Sequence, residues 1–400
     1  MARILVLDGH SAAALATTRS AGRSGHWVAV AANQGLFAPA KLSRYCQAAF
    51  EYPISTTEPH EFLDTIYRLA CSEAIDLIIP VTDWTVGPLS LQRERFAGSC
   101  KVALPSADAL DLTADKYRTI KLAESIGIRV PRTLLVKSPD DVSTWGSTEI
   151  PAVVKDRFSV RWKSDGAVFG SVAYAFTSAE LDAKIAERIT AAGDVLIQEF
   201  VAGTGIGFSC FVAHGKTYLP FQWQRMREVD PRGSGSSARK SVPGDETLAL
   251  QSQELITRMG FEGIAMVEYK KTPEGDFVLM EVNGRPWGSI GLPIACGIDY
   301  PKYLIEWWLK GTLPPPEISY PANIICRRLV GELTHLSNIR SGPPPNWPGS
   351  YPKFWKTLFA MVVPWRPGMC YDDLWLSDLR PGVAGIRQWF QSRWKIRSRN

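Results

Sequence analysis

The sequence predicts an α/β N-terminal domain on an open parallel sheet, an α+β body, and a Pro/Trp-rich C-terminal extension. Three observations predict it. Residues 3–31 run strand, glycine turn, helix, strand, which opens a parallel sheet. From Thr113 onward, hairpin signals are mixed with helices instead of alternating with them. Positions 311–400 hold 12 of the 28 prolines, and residues from 307 onward hold 8 of the 14 tryptophans, which disfavours long regular elements there. The corresponding boundaries are 1–110, 111–310 (113–200 and 201–310 as two subdomains) and 311–400.

In the first domain, Arg3 to Leu7 is a short buried strand, followed by the turn Asp8-Gly9-His10-Ser11, an Ala-rich helix and a strand from Trp27 to Ala31. Ile75 to Val81 is a further buried strand after a helix around 61–72, and Lys101 to Leu104 is the sheet's edge. Ligands of such sheets sit at the C-terminal strand ends. Thr82 and Asp83 follow one of these, and Asp83 could hold a substrate ammonium or cap the next helix.

The body begins with a helix from Ala114 to Ile126. Strands follow at 133–136, 151–155, 171–176 and 195–200, with a Gly/Ser-rich stretch from Ser159 to Gly170 and a helix from Ser178 to Thr190 capped by Ser178. Strands 208–213 and 217–223 form a hairpin around Gly215. A glycine- and serine-rich loop spans Pro231 to Ser241. A helix over 246–259 then leads to strands 263–270 and 277–282, joined by the turn Pro273-Glu-Gly275.

Composition excludes several classes. A hydrophobic fraction of 45% with 21% charged residues is ordinary for a globular chain and excludes general disorder. A membrane-spanning helix needs about 18 consecutive apolar residues; the longest candidate, Leu358 to Trp365, is shorter and contains Pro364. Asp8 interrupts the N-terminal apolar run too early for a signal peptide. Seven cysteines without a C-x-x-C pair argue against a disulfide framework or zinc ribbon, so a reducing, cytoplasmic setting is expected. The net charge of +5 equals the five basic residues of 386–400, which contain no acid, so the body carries no signal for nucleic acid. Nothing in the sequence sets the oligomeric state.

Two nucleotide motifs fail. A P-loop ending at Lys216-Thr217 needs glycine where Cys210 stands, and Gly203-x-Gly205-x-Gly207 lacks the dinucleotide spacing. The informative set is Glu268, Glu281, Asn283 and Arg285. The two acids lie in otherwise apolar strands, thirteen residues apart, and a hairpin would bring them to one face. Two carboxylates and an amide oxygen are hard ligands suited to Mg²⁺ on triphosphate oxygens. Arg285 could meet a phosphate or carboxylate with both nitrogens. Arg225 and Arg227, with Arg239 and Lys240 nearby, could face the same site as a cation cluster or lie in a solvated loop.

On these residues the chain resembles the ATP-grasp superfamily. Glu268 and the run Glu281-Val-Asn283-Gly-Arg285 look like its magnesium site. The resemblance implies a pre-ATP-grasp, Rossmann-like first domain followed by the ATP-grasp fold. It is strong over about 110–310, weaker over 1–105, and absent in the tail. By family order, Lys116 and Lys155 match lysines that contact ATP phosphates. Gln198, Glu199 and Val201 match the hinge that meets adenine, and 164–170 match the loop that folds over the phosphates. One departure stands out: no acid in Gly203 to Gly207 is available for the ribose. The wording of 222–228 and 283–289 is closest to carboxylate–amine ligase-like members related to carbamoyl phosphate synthetase and biotin carboxylase.

The resemblance implies ATP with Mg²⁺, two ions or Mn²⁺ in their place, and a carboxylate and an amine as substrates. The carboxylate would be activated as an acyl phosphate and captured by the amine. A small-molecule kinase and a non-catalytic nucleotide-sensing module remain as alternatives. In the tail, Ile386, Trp389, Phe390 and Trp394 recur at helical spacing among five cations. Such a stripe either lies on a membrane surface or docks on the protein itself.

Overall fold

The computed structural model describes residues 1–145, 150–163, 166–348, 350–362 and 366–397. Its first layer is a parallel sheet in the order β3-β2-β1-β4-β5. The strands are β1 (Arg3–Val6), β2 (Trp27–Asn33), β3 (Ala48–Tyr52), β4 (Leu77–Ile79) and β5 (Lys101–Val102), with helices α1 (Ala12–Arg23), α2 (Pro59–Ser72) and α3 (Asp83–Leu91) between them. Ile4, Leu5 and Val6 are fully buried, as strands covered on both faces require. The sequence missed β3 because half-exposed residues such as Glu51 interrupt its apolar pattern. Lys101 does begin the edge strand.

The expected helix over 114–126 is α5 (Lys116–Ser125), and a helix the sequence did not show, α4 (Ala107–Ala114), precedes it. Asp115 separates the two because its carboxylate caps α5, accepting from the Tyr117 and Arg118 N–H groups. A four-stranded antiparallel sheet follows in the order β10-β7-β11-β6, from β6 (Thr133–Val136), β7 (Ala152–Asp156), β10 (Val172–Ala175) and β11 (Val195–Glu199). Helix α6 (Ser178–Ala192) packs on it, capped by Thr177 rather than Ser178.

Within the Gly/Ser-rich stretch, β8 (Val160–Lys163) and β9 (Gly166–Phe169) form a hairpin; Ser164 and Asp165 lie outside the described residues. The hairpin rests on the first domain. Trp162 lies so close over Gly87 of α3 that a Cβ there would stand 1.8 Å from its Nε1. The Ala167 N–H donates to the Thr56 carbonyl at 2.8 Å.

The largest sheet has seven strands in the order β16-β15-β12-β13-β14-β17-β18. It comprises β12 (Thr204–Ala213), β13 (Lys216–Glu228), β14 (Ser236–Ser241), β15 (Gly263–Lys271), β16 (Phe277–Asn283), β17 (Ile325–Arg327) and β18 (Met369–Tyr371), with α7 (Glu246–Arg258), α8 (Gly291–Ala295) and α9 (Tyr300–Lys310) against it. Two expectations are corrected here. Residues 236–241 are a strand, not a loop, because Ser237, Ala238, Arg239 and Ser241 are buried between β13 and β17. The chain beyond 311 is not merely irregular. It supplies β17, β18, α10 (Leu329–Ile339), α11 (Phe354–Val362) and the 18-residue α12 (Arg380–Arg397). Buried ion pairs tie it back: Arg239 to Asp372 and Arg19 to Asp378. Arg19 and Arg239 are charges whose partners stand far away in the chain, so no local pattern could reveal them.

Candidate functional site

The site lies where the β15–β16 hairpin, β7 and the start of α3 converge. Residues Glu268 and Glu281 are direct partners in the β15–β16 register. Asn283 lies two residues beyond Glu281 on the same face, with Val282 between them turned into the core. The turn at Pro273 to Gly275 creates this juxtaposition, as its sequence predicts.

Arg225 of β13 reaches across the intervening β12 to donate to Glu268 and, at 3.0 Å, to Glu228. It can do so because Gly205 beneath it has no side chain: a Cβ would stand 2.6 Å from the Arg225 Cδ. Gly207 likewise lies under the Trp223 ring. The Gly205-Ile-Gly207 run that fits no nucleotide motif is therefore a track for side chains crossing the sheet. Burial disfavours the Glu268 charge, Arg225 opposes that, and Glu281 repels it; the net effect is a raised carboxyl pKa.

Arg285 is clamped on both nitrogens by the Asp83 carboxylate, at 2.7 Å each. This joins the first domain to the end of β16. Burial works against the Arg285 charge, but Asp83, with Glu281 and Asp8 beyond, more than offsets it and raises its pKa. Thr82 caps α3, accepting from the Trp84 N–H, so Asp83 is the first residue inside the helix rather than its cap.

Two lysines complete the site. Lys116 opens α5 and donates to the Ser159 hydroxyl at 2.8 Å. Burial lowers its pKa against the pull of Glu281 and Asp83. Lys155, on β7, is pushed down to about 8 by burial, with Glu281 opposing. No carboxylate stands within ion-pair distance of Lys155 among the described residues. A desolvated ammonium of this kind is suited to receive an anion.

The residues expected at the hinge divide. Gln198 of β11 is 2% exposed and donates to the Thr133 hydroxyl at 2.9 Å, while its Oε1 is buried without a partner. Glu199 accepts from the Arg132 N–H at 3.1 Å, and the Val201 carbonyl accepts from Lys270 at 2.8 Å.

The expected arginine cluster is corrected. Arg225 lies against Glu268, but Arg227 turns away to Glu332 of α10, and Arg239 is sealed against Asp372. Residues two apart on a regular strand share a face, so it is the register irregularity between Arg225 and Arg227 that sends the two side chains apart.

A cavity of about 470 Å³ opens beside these groups, lined among others by Asp83, Glu281, Asn283 and Arg285. Its remaining wall brings cations the sequence reading missed: Arg118, Arg157 and Arg161. Arg157 is held by Asp115 at 2.6 Å and Asp194 at 2.8 Å. The signal available was the basic run Arg157, Arg161 and Lys163 at the entrance to the Gly/Ser stretch.

The donor set fits Mg²⁺ with a nucleotide triphosphate: hard oxygens from Glu268, Glu281 and Asn283 beside unneutralised Lys155, and an unpaired buried acceptor, Gln198 Oε1, at the hinge. Among the described residues, no group of three or more His, Cys, Asp or Glu side chains could hold a metal ion, so phosphate oxygens would complete any coordination.

Residues 191–326 match the family described as ATP-grasp in the biosynthetic pathway with Ter operon. The chain is 27% identical over 238 residues, 54% of this chain and 72% of the relative, to the tetrahydromethanopterin:alpha-L-glutamate ligase of Methanosarcina acetivorans. It is 25% identical over 256 residues, 62% of this chain and 81% of the relative, to a probable alpha-L-glutamate ligase of Ectopseudomonas mendocina. Among solved structures, the biotin carboxylase domain of Hydrogenobacter thermophilus 2-oxoglutarate carboxylase superposes with TM-score 0.65 at 14% identity, covering 81% of this chain and 73% of that one. The L-amino acid ligase of Bacillus licheniformis superposes with TM-score 0.58 at 14% identity, covering 78% and 74%.

Proposed function

We infer that this chain, which belongs to the ATP-grasp superfamily, is an ATP-dependent carboxylate–amine ligase. The observation that carries the reading is the pairing of Glu268 with Glu281 on adjacent strands, beside Asn283 and the Lys155 ammonium, which has no carboxylate partner among the described residues. Mg²⁺ held by Glu268, Glu281 and Asn283 would offset the charge of the triphosphate oxygens. Lys116 and Lys155 receive the phosphates, and Gln198 Oε1 accepts a hydrogen bond from the adenine amino group. Arg285, oriented by Asp83, holds the substrate carboxylate for attack on the γ-phosphorus. Arg225, next to Glu268, stabilises negative charge on the transferred group.

An oxygen of the carboxylate forms the new bond to phosphorus and ADP leaves. The amine then attacks the acyl carbon, loses a proton, and expels phosphate carrying that oxygen. Coupling to ATP supplies a leaving group that a free carboxylate lacks; the chain's own share is positioning and charge stabilisation.

The alpha-L-glutamate ligases among its relatives make an amino acid, with glutamate the first to test, the preferred amine. The decisive experiment supplies ¹⁸O-carboxylate substrate with ATP and an amino-acid pool. Label in the released phosphate is expected. ADP formation with a phosphorylated product and no amide would replace the reading with that of a kinase.

A further inference from the structure

The C-terminal helices carry large apolar side chains on faces that no described residue covers. On α11, Trp355, Phe359 and Val362 are 67%, 70% and 66% exposed. Their spacing of four and three places them on one helical face. On α12, Val383, Phe390 and Trp394 are 57%, 58% and 80% exposed, spaced seven and four apart, and Leu376 just before the helix is 96% exposed. Both helices pack against α10.

The aromatic stripe read from the sequence is thus divided. Trp389 turns inward and donates to the Thr334 hydroxyl of α10 at 3.0 Å, whereas Phe390 and Trp394 face out. Arg387 lies between Val383 and Phe390 on the outward face and is exposed.

Charge is sorted in the same sense. After residue 350 the sequence has nine basic and three acidic residues. All three acids turn inward: Asp372 to Arg239, Asp378 to Arg19, and Asp373 to the first N–H groups of α10. Lys353, Lys356, Arg366, Arg380 and Arg387 are exposed. Large apolar side chains rimmed by uncompensated cations complement an anionic apolar boundary, such as a bilayer surface rich in acidic headgroups. No helix among the described residues is long and apolar enough to cross a membrane, so attachment would be in the plane of the interface.

We propose that the outward faces of α11 and α12 form a peripheral docking surface for anionic lipid bilayers, with the aromatics inserted among the headgroups and the cations on acidic lipids.

The test is co-sedimentation of the full chain with phosphatidylcholine vesicles and with vesicles made half of phosphatidylglycerol. Binding to the anionic vesicles alone, and its loss on raising salt, is expected. The variant Phe390→Ser/Trp394→Ser should lower the partition coefficient at least ten-fold, and Arg387→Ser about five-fold. Trp355→Ser/Phe359→Ser tests α11 separately and should also weaken binding. These side chains are exposed, so each variant is expected to keep the wild-type melting temperature; should the double variant melt lower, Trp394→Ser alone replaces it, since Trp394 is the more exposed of the two aromatics and the change leaves the charge unaltered. No sedimentation with anionic vesicles at low salt overturns the proposal, as does binding that these substitutions leave unchanged. Dimerisation of the wild type, abolished by the same serine variants, would assign the surface to a second copy and overturn it too. The readout does not depend on ligase activity.

Discussion

Two buried charge systems lie against opposite ends of the seven-stranded sheet, and they are built differently. Toward its β18 edge, three cations are closed off. Arg239 and Asp372 side chains are 0% and 6% exposed, Arg19 and Asp378 are 0% and 1%, and Arg327 is bonded to Glu332 at 2.6 Å. Toward the β16 edge, the charges are left incomplete: Lys155 has no carboxylate partner among the described residues, and Glu281 has like-charged Glu268 as its register partner. Closed pairs hold the fold together, because breaking one strands a charge in the interior. Incomplete sets store an electrostatic demand that a ligand can meet. Arginines that looked alike in sequence fall on opposite sides of this division.

The sharpest way to break the comparison is at its closed end. Arg239→Ala leaves Asp372 buried without its cation and should destabilise the fold by about 3–5 kcal/mol, read by urea unfolding. An unchanged midpoint would make that pair dispensable.

At the open end, Glu281→Gln should leave unfolding nearly untouched while kcat falls two to three decades, roughly 3–4 kcal/mol. Equal loss of stability and activity would erase the distinction between the two systems.

Asp83→Asn sharpens the boundary between them, since Asp83 is a closed pair inside the open site. Loss of the doubly bonded charge on Arg285 should raise KM for the carboxylate substrate about ten-fold with kcat little changed. Steady-state kinetics at saturating ATP measure this.

The smallest effect concerns pH. Lys155 loses its proton near pH 8 in the folded protein, against 10.5 for an ordinary lysine. Phosphates bind the charged form, so kcat/KM for ATP should fall as pH rises through about 8, roughly four-fold half a unit above it. Lys155→Arg should flatten that limb. Stability moves the opposite way: between about 8 and 10.5 the unfolded chain binds more protons, so folding is favoured as pH rises.

Much of the site was legible in the sequence because its chemistry is local. Glu268, the turn at Pro273 to Gly275, and Glu281 to Arg285 lie within one hairpin, where strand periodicity and turn residues dictate which side chains meet. The alternation of strands and helices in the first domain was legible for the same reason. Tertiary structure alone decided the rest, since it pairs charges that no short-range pattern links: Arg285 with Asp83, Arg225 with Glu268 over Gly205, and Arg239 with Asp372. It also made 236–241 a strand and placed Trp389 inward but Phe390 outward. A sequence shows which groups can be charged or apolar; burial and the partners supplied by distant segments determine which of them are satisfied, and which remain open for a ligand or a surface.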